Sequence, residues 1–418
     1  MFLKSLLQRH SRLLAASAAV LGLWHFNDGA AALQERPWSK LAFLPAPGVV
    51  TATEPKDEEE EPVNEKDDML PADATLPLLE ELFSDPRTRR RMAQLRIFSG
   101  SANPALAEEV ARRLGTQVGS LDVNRFADGE IGIQVHTNVR GKEVYIVQPT
   151  CPPGVNDNLF ELILMISTMR RASASTITAV IPYYGYARQD RKMAARVPIS
   201  AADVARLLET VGADRVVAVD LHCGQIQGFF GPRTPVDNLE GASVALDYFA
   251  NLGLEGNRTV IVSPDAGGVH RAKKFRDGLK TAGIDAGLAM IIKQRARANM
   301  IESMDLVGDV DGCDVIIVDD MIDTAGTLCK AAAELRRRGA KRIWAFASHG
   351  LFSGPAVQRI NDSVFEKVLV CNTVPLPEGC ECNKIQQLSV ADLLASAIAR
   401  IHFRRSISQL FENQEAPQ

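Results

Sequence analysis

Runs of consecutive apolar, largely β-branched residues constrain this chain more than any other feature. They fall at residues 96–98, 144–147, 177–181, 216–219, 260–262, 315–318 and 343–346, without the alternation of apolar and polar side chains. A strand with one face in water shows that two-residue period. Runs that lack it suit strands covered on both faces, which means a largely parallel sheet with helices on either side. Helix-like stretches at 200–211 and 328–338 lie between such runs. Asn103 and Pro104 read as an N-cap and first helical position, with Gly115 just past that helix's end. The pattern extends from residue 94 to 412, too much chain for one open sheet of ordinary size. The expectation is an α/β protein of two tandem domains with largely parallel sheets, 94–242 and 243–412, the crossing falling near 238–246.

The first 93 residues have a different texture. The start carries Lys4, Arg9, His10 and Arg12 and an apolar stretch at 13–24, too short to span a bilayer comfortably. It reads as a targeting segment: a mitochondrial presequence, or a secretory signal with Ala30-Ala31-Ala32 as the cleavage site. The mitochondrion is the expected destination, with a secretory or plastid route, or the cytoplasm, as alternatives. Residues 56–68 (KDEEEEPVNEKDD) form an acidic tract that would repel itself, so 1–93 is expected to be a disordered extension. No stable membrane span is expected. With 47 Lys+Arg against 51 Asp+Glu, no basic excess points to nucleic acid. The seven cysteines are odd in number, and Cys380-x-Cys382 has no companion pair, so reduced thiols are expected rather than a disulfide framework or a zinc site.

Ligands of an open parallel sheet collect beyond the carboxyl ends of its strands. Here the run at 216–219 leads into Asp220-Leu221-His222-Cys223-Gly224, and the run at 260–262 into Ser263-Pro264-Asp265-Ala266-Gly267-Gly268. The run at 315–318 leads into Asp319-Asp320-Met321-Ile322-Asp323-Thr324-Ala325-Gly326-Thr327. One acid after a strand is ordinarily a helix cap; three ends bearing acids, a histidine and glycines are harder to explain that way. In the third, backbone N–H groups of 323–327 and the hydroxyls of Thr324 and Thr327 make a phosphate cradle opening onto a helix N-terminus. Paired carboxylates cannot bind phosphate; they accept hydrogen bonds from sugar hydroxyls or hold a metal. A phosphorylated sugar satisfies both halves of this motif. Neither a Walker A sequence nor G-x-G-x-x-G is present, so the chain is not a P-loop kinase or a dinucleotide enzyme by motif.

The segment VIIVDDMIDTAGT (315–327) resembles the phosphoribosyl-binding motif shared by phosphoribosyltransferases and phosphoribosyl pyrophosphate synthetases. Further segments resemble the synthetases alone: RFADGE (125–130), IPYYGYARQDRK (181–192), VDLHCGQIQGFF (219–230), SPDAGGVHRAKK (263–274), KQRARAN (293–299), NTVP (372–375) and SISQLFE (406–412). The likeness covers nearly all of 94–412, in family order. It implies two phosphoribosyltransferase-like domains and transfer of the β,γ-pyrophosphoryl group of ATP to C1 of ribose 5-phosphate. It also implies Mg²⁺, and a homo-oligomer built from dimers into hexamers with phosphate and ADP as regulators.

By the same resemblance, Phe126, Asp128 and Glu130 match an adenine-recognition loop given to a neighbouring subunit. Arg188, Gln189, Arg191 and His222 match further ATP contacts. Asp319, Asp320, Asp323, Thr324, Ala325, Gly326 and Thr327 match the ribose 5-phosphate site. His222, Asp265 and Asp220 match metal-associated positions, and Lys293 and Arg295 a mobile catalytic loop. Ala325 stands where many members have glycine, and 231–234 replaces a shorter connection bearing an acid, which leaves Asp237 and a second metal environment open. A phosphoribosyltransferase would need only one such domain and no ATP loop. A non-catalytic relative would have lost Lys293, Arg295 or His222.

Overall fold

The computed structural model describes residues 86–408 and residue 410, apart from 298 and 299, and omits the side chains of 86, 87 and 293–303. The basic apolar start and the acidic tract, with the targeting and destination read from them, lie outside the described residues.

The body begins with helix α1 (Pro86–Met92) and continues as two α/β halves. The first half follows as β1 (Leu95–Ser99), α2 (Pro104–Arg113), β2 (Leu121–Arg125), β3 (Ile131–Val135), β4 (Glu143–Val147), α3 (Val155–Arg171), β5 (Thr176–Ile181), α4 (Ser200–Thr210), β6 (Arg215–Val219) and β7 (Val236–Leu239). Its sheet runs β1-β4-β5-β6-β7 with every pair parallel, while β2 and β3 form a separate antiparallel hairpin. The second half follows as α5 (Ala242–Ala250), β8 (Thr259–Ser263), α6 (Val269–Thr281), β9 (Gly287–Arg297), β10 (Met300–Val307), β11 (Asp314–Ile322), α7 (Gly326–Arg337), β12 (Ile343–Gly350), α8 (Ala356–Asn361), β13 (Lys367–Cys371), β14 (Ile385–Leu388) and α9 (Ala391–His402). Its sheet runs β10-β9-β8-β11-β12-β13-β14, parallel throughout except for the β9–β10 ribbon.

Each apolar run of the sequence became a strand buried on both faces: all five residues of β8 and all eight of β12 are buried. The expected cap of α2 is present, Asn103 Oδ1 accepting from Leu106 N at 3.3 Å, and Gly115 takes the left-handed φ of 65° that ends the helix.

The halves share one apolar core. Helix α9 of the second half lies against α2 of the first, and Leu394 and Ile398 join Leu106 and Val110 in a single buried cluster that extends to Phe249, Phe275 and Phe346. Phe249 meets Phe275 edge-on at 5.8 Å, and Phe275 stacks on Phe346 at 5.7 Å. Each fully buried Leu, Ile or Phe contributes roughly 1.5–3 kcal/mol. The part-exposed Arg113–Asp392 pair at 2.9 Å adds at most about 1 kcal/mol, so apolar packing holds α9 in place.

Two segments differ from the sequence expectation. Helix α1 occupies residues assigned to the linker and is tied into the body by distant partners. Arg91 Nε donates to the His402 carbonyl at 2.7 Å, His402 Nε2 stands 2.9 Å from the Arg91 carbonyl, and His402 Nδ1 lies 2.8 Å from Glu143 Oε2. These bonds join α1, α9 and β4, and nothing in the local sequence PRTRRRM announces them. Second, the stretch expected as a loop continues β9 as far as Arg297, pairing Lys293 with Met304 and Arg295 with Ile301 of β10. Among the described residues no helix is long and apolar enough to cross a membrane.

Candidate active site

Strand β11 builds the centre of the site. Val315, Ile316, Ile317 and Val318 are fully buried, and the strand then continues through Asp319 and Asp320 to Ile322. The turn at Asp323, Thr324 and Ala325 delivers the chain to α7 at Gly326. Ala325 is the N-cap of α7 with φ 56°, has no side-chain cap bond, and no acid follows in the first turn. The first N–H groups of a helix have no partner within it. Here the residues that carry them, 326–328, line a cavity of about 150 Å³ with Pro264, Asp319, Met321, Ile322 and residues 323–325. An anion of phosphate size suits that concentration of donors and the helix's positive end.

The other half supplies the opposite wall. His222, in the turn after β6, places Nδ1 2.6 Å from Asp320 Oδ2. Arg188, in the loop after β5, donates from Nη1 to Asp323 Oδ2 at 2.6 Å. Arg271, in the first turn of α6, stands 3.5 Å from Asp319 and 3.6 Å from Asp320. Residues expected on the nucleotide side and on the sugar-phosphate side therefore touch across the junction.

The charges are arranged unequally. Burial, reinforced by the neighbouring Asp320 charge, pushes the Asp319 carboxyl well above the usual carboxylate range. Burial acts in the same direction on Asp320, but the bond to His222 and the charge of Arg271 outweigh it and hold Asp320 low. The Asp320 bond in turn raises His222 above its ordinary value, against the opposing effect of desolvation. Asp323 is also held low: burial is outweighed by the Ser353 hydroxyl and by Arg188.

The remaining expected residues fall into three groups. Asp265 is beside the site, its Oδ1 accepting from Gly268 N at 3.1 Å at the start of α6. Asp220, expected at a metal-associated position, also links the halves. Its Oδ2 accepts from Gly241 N at 2.8 Å and from the Ser348 hydroxyl, and its carbonyl lies 3.2 Å from His349 Nε2. Gln189 receives the Ser200 hydroxyl on Oε1 at 2.6 Å, at the head of α4, while Arg191 is exposed with Asp190 at 3.9 Å. Phe126, Asp128 and Glu130 form the tip of the β2–β3 hairpin. Asp128 Oδ1 accepts from Glu130 N at 3.1 Å, and Phe126 is 62% exposed, an unusual state for so large an apolar ring. Among the described residues no hydrogen bond or ion pair joins this tip to the His222–Asp323 centre. The side chains of Lys293 and Arg295 lie outside the described residues.

Sequence reasoning missed Arg271. Arg271 sits within the segment 263–274 already singled out, and a cation in the first turn of the helix after an acid-bearing strand end was the available signal. Among the described residues no group of three or more His, Cys, Asp or Glu converges as a metal cage. The donor set is carboxylates with one histidine. Such hard, sparse donors fit a cation that keeps waters and arrives with substrate phosphates, as Mg²⁺ does.

Comparison with known proteins agrees with this geometry. The N-terminal domain of ribose phosphate pyrophosphokinase matches residues 95–212, and a phosphoribosyl synthetase-associated domain matches residues 289–412. A ribose-phosphate pyrophosphokinase of Vibrio vulnificus (strain YJ016) is 51% identical over 322 residues, covering 77% of this chain and 100% of that one. Its counterpart in Helicobacter pylori (strain ATCC 700392 / 26695) is 49% identical over 323 residues, covering 77% and 98%. The crystal structure of phosphoribosylpyrophosphate synthetase from Mycobacterium smegmatis superposes with a TM-score of 0.69 at 41% identity, covering 74% of this chain and 99% of that one. The chain belongs to the ribose-phosphate pyrophosphokinase family.

Proposed function

We infer that this chain is a ribose-phosphate diphosphokinase, moving the β,γ-pyrophosphoryl group of ATP to the C1 hydroxyl of ribose 5-phosphate. The observation that carries the reading is the meeting of two half-sites: Arg188 on Asp323 and His222 on Asp320, each at 2.6 Å. A phosphoribosyltransferase needs only the sugar-phosphate half. The C1 hydroxyl oxygen bonds to the β-phosphorus and gives up its proton to solvent, the bond from that phosphorus to the oxygen bridging to the α-phosphorus breaks, and AMP leaves with that oxygen and the electron pair.

The residues take the following roles. The loop 323–327 and the head of α7 hold the 5-phosphate by N–H donors. Asp319 and Asp320 accept from the ribose hydroxyls, with Arg271 preventing their mutual repulsion from driving them apart. Arg188 and Gln189 face the nucleotide, and Arg191 extends the same basic stretch. Lys293 and Arg295 supply the cations that meet negative charge growing on the migrating group. Mg²⁺ would be held by Asp265 and by the His222 and Asp319–Asp320 region together with phosphate oxygens, and its chemistry is to neutralise those oxygens. The exposed hairpin tip at Phe126, Asp128 and Glu130 serves the nucleotide site of a neighbouring subunit, so the working unit is a homo-oligomer of at least two chains.

Purified protein with ATP, ribose 5-phosphate and Mg²⁺ should release AMP only when the sugar phosphate is present. Release of ADP instead, or sugar-independent AMP, would overturn the reading. In the same assay Lys293→Ala should lower kcat by on the order of 10²–10³ with both KM values nearly unchanged, as expected for a group that acts mainly in the transition state. A kcat within about twofold of wild type would make Lys293 a surface charge only.

A further inference from the structure

Arg359 lies on the short helix α8, which takes no part in the roles above, yet its guanidinium is bonded to the phosphate loop. Nη1 donates to the Thr324 carbonyl at 2.9 Å. A Cβ placed on Gly326 would stand 3.2 Å from that same nitrogen, so the side chain reaches both residues flanking the left-handed Ala325. Its own carbonyl accepts from Cys329 Sγ at 3.5 Å, which ties α8 to α7 at a second point. Arg359 does not line the cavity; Thr324, Ala325 and Gly326 do.

We propose that Arg359 is a positioning residue for the sugar phosphate: it holds the loop's amides in their donating orientation before the ligand arrives. This rests on reading the loop as the 5-phosphate site. The Thr324 carbonyl and the Ala325 N–H belong to one planar trans peptide and point in opposite directions. A guanidinium fixed on the carbonyl therefore aims the N–H the other way and withdraws electron density from the peptide, making that N–H a stronger donor. The left-handed conformation at Ala325 is costly for a residue with a side chain, and a charged anchor on the preceding carbonyl offsets part of that cost. A side chain at 326 would press on the guanidinium unless Arg359 shifted, so the contact favours glycine there. The positive charge adds to the potential at the helix head.

The test compares wild type with Arg359→Ala, Arg359→Gln and Arg359→Lys in three readouts: KM for each substrate, kcat, and the calorimetric Kd for ribose 5-phosphate. Arg359→Ala should raise the KM and Kd for ribose 5-phosphate about five- to tenfold, the scale of one typical hydrogen bond because Arg359 acts through the loop and not on the ligand, with KM for ATP and kcat within about twofold. Arg359→Lys should recover part of the loss, and Arg359→Gln less. A ribose 5-phosphate Kd within about twofold of wild type in Arg359→Ala overturns the proposal. So does an equal loss in both KM values and kcat with a lowered Tm, which marks a merely structural role. If wild type binds ribose 5-phosphate without releasing AMP, the transfer reading fails while Arg359 is still judged on Kd. If wild type does not bind the sugar phosphate, the loop reading and the proposal fall together.

Discussion

His222 and Asp320 are the pair in which charge, burial and position combine most closely. Their pH behaviour follows from the directions of their shifts. His222 is raised by its partner, so its contribution to stability is complete below its ordinary pKa of about 6.5 and is lost as pH climbs through the raised value. Asp320 is held low, so its contribution is present above about 3.9 and is lost as pH falls through the lowered value. Both act together between roughly pH 4 and 6.5. In metal-free buffer, His222→Asn should lower Tm most near pH 5.5, and the gap to wild type should shrink by about pH 9. A gap that stays constant over that range would show that the imidazole packs without pairing. Ala325 is the other informative residue: a non-glycine at φ 56° persists because the surrounding bonds over-determine it.

At the scale of elements, the β2–β3 hairpin makes the sharpest prediction. Among the described residues no hydrogen bond or ion pair joins its tip, with Phe126, Asp128 and Glu130, to the His222–Asp323 centre, and the function proposed above gives these residues to the site of a second chain. Subunits carrying Asp128→Ala and subunits carrying Arg188→Ala should each be weak alone and recover activity when mixed, because some pairings reunite intact halves. Demonstrably mixed oligomers with no recovery would remove the hairpin from the site. The strands that carry the site were legible because each announces itself locally: an apolar run buried on both faces, then acids and glycines. The hairpin itself, β7 and β14 were not, since short or half-exposed strands lack such runs, whereas β13 carries the buried apolar run 368–371 and was passed over. Nor was α1, whose placement depends on His402 and Glu143, hundreds of positions away in one case. The same holds for Arg359, which reaches the Thr324 carbonyl by folding and belongs to no local pattern.

On the scale of the whole molecule, two α/β halves share a core through α9 and α2, and the residues of chemical interest lie where they join. A shared core fixes the distance between the nucleotide wall and the sugar-phosphate wall, which pays for orientation in advance of binding. The sequence pointed to two tandem domains but not to this fusion, because contacts between α9 and α2 leave no trace in either helix alone. The central claim is that the sugar's C1 oxygen attacks the β-phosphorus within that junction. Ribose 5-phosphate labelled with ¹⁸O at the C1 hydroxyl, followed by ³¹P spectroscopy of the products, tests it directly. The label should appear in the bridge between C1 and the β-phosphorus, shifting that resonance, with unlabelled AMP as the other product. Label in AMP, or a product in which only the γ-phosphoryl group has moved and ADP is left, would contradict the account.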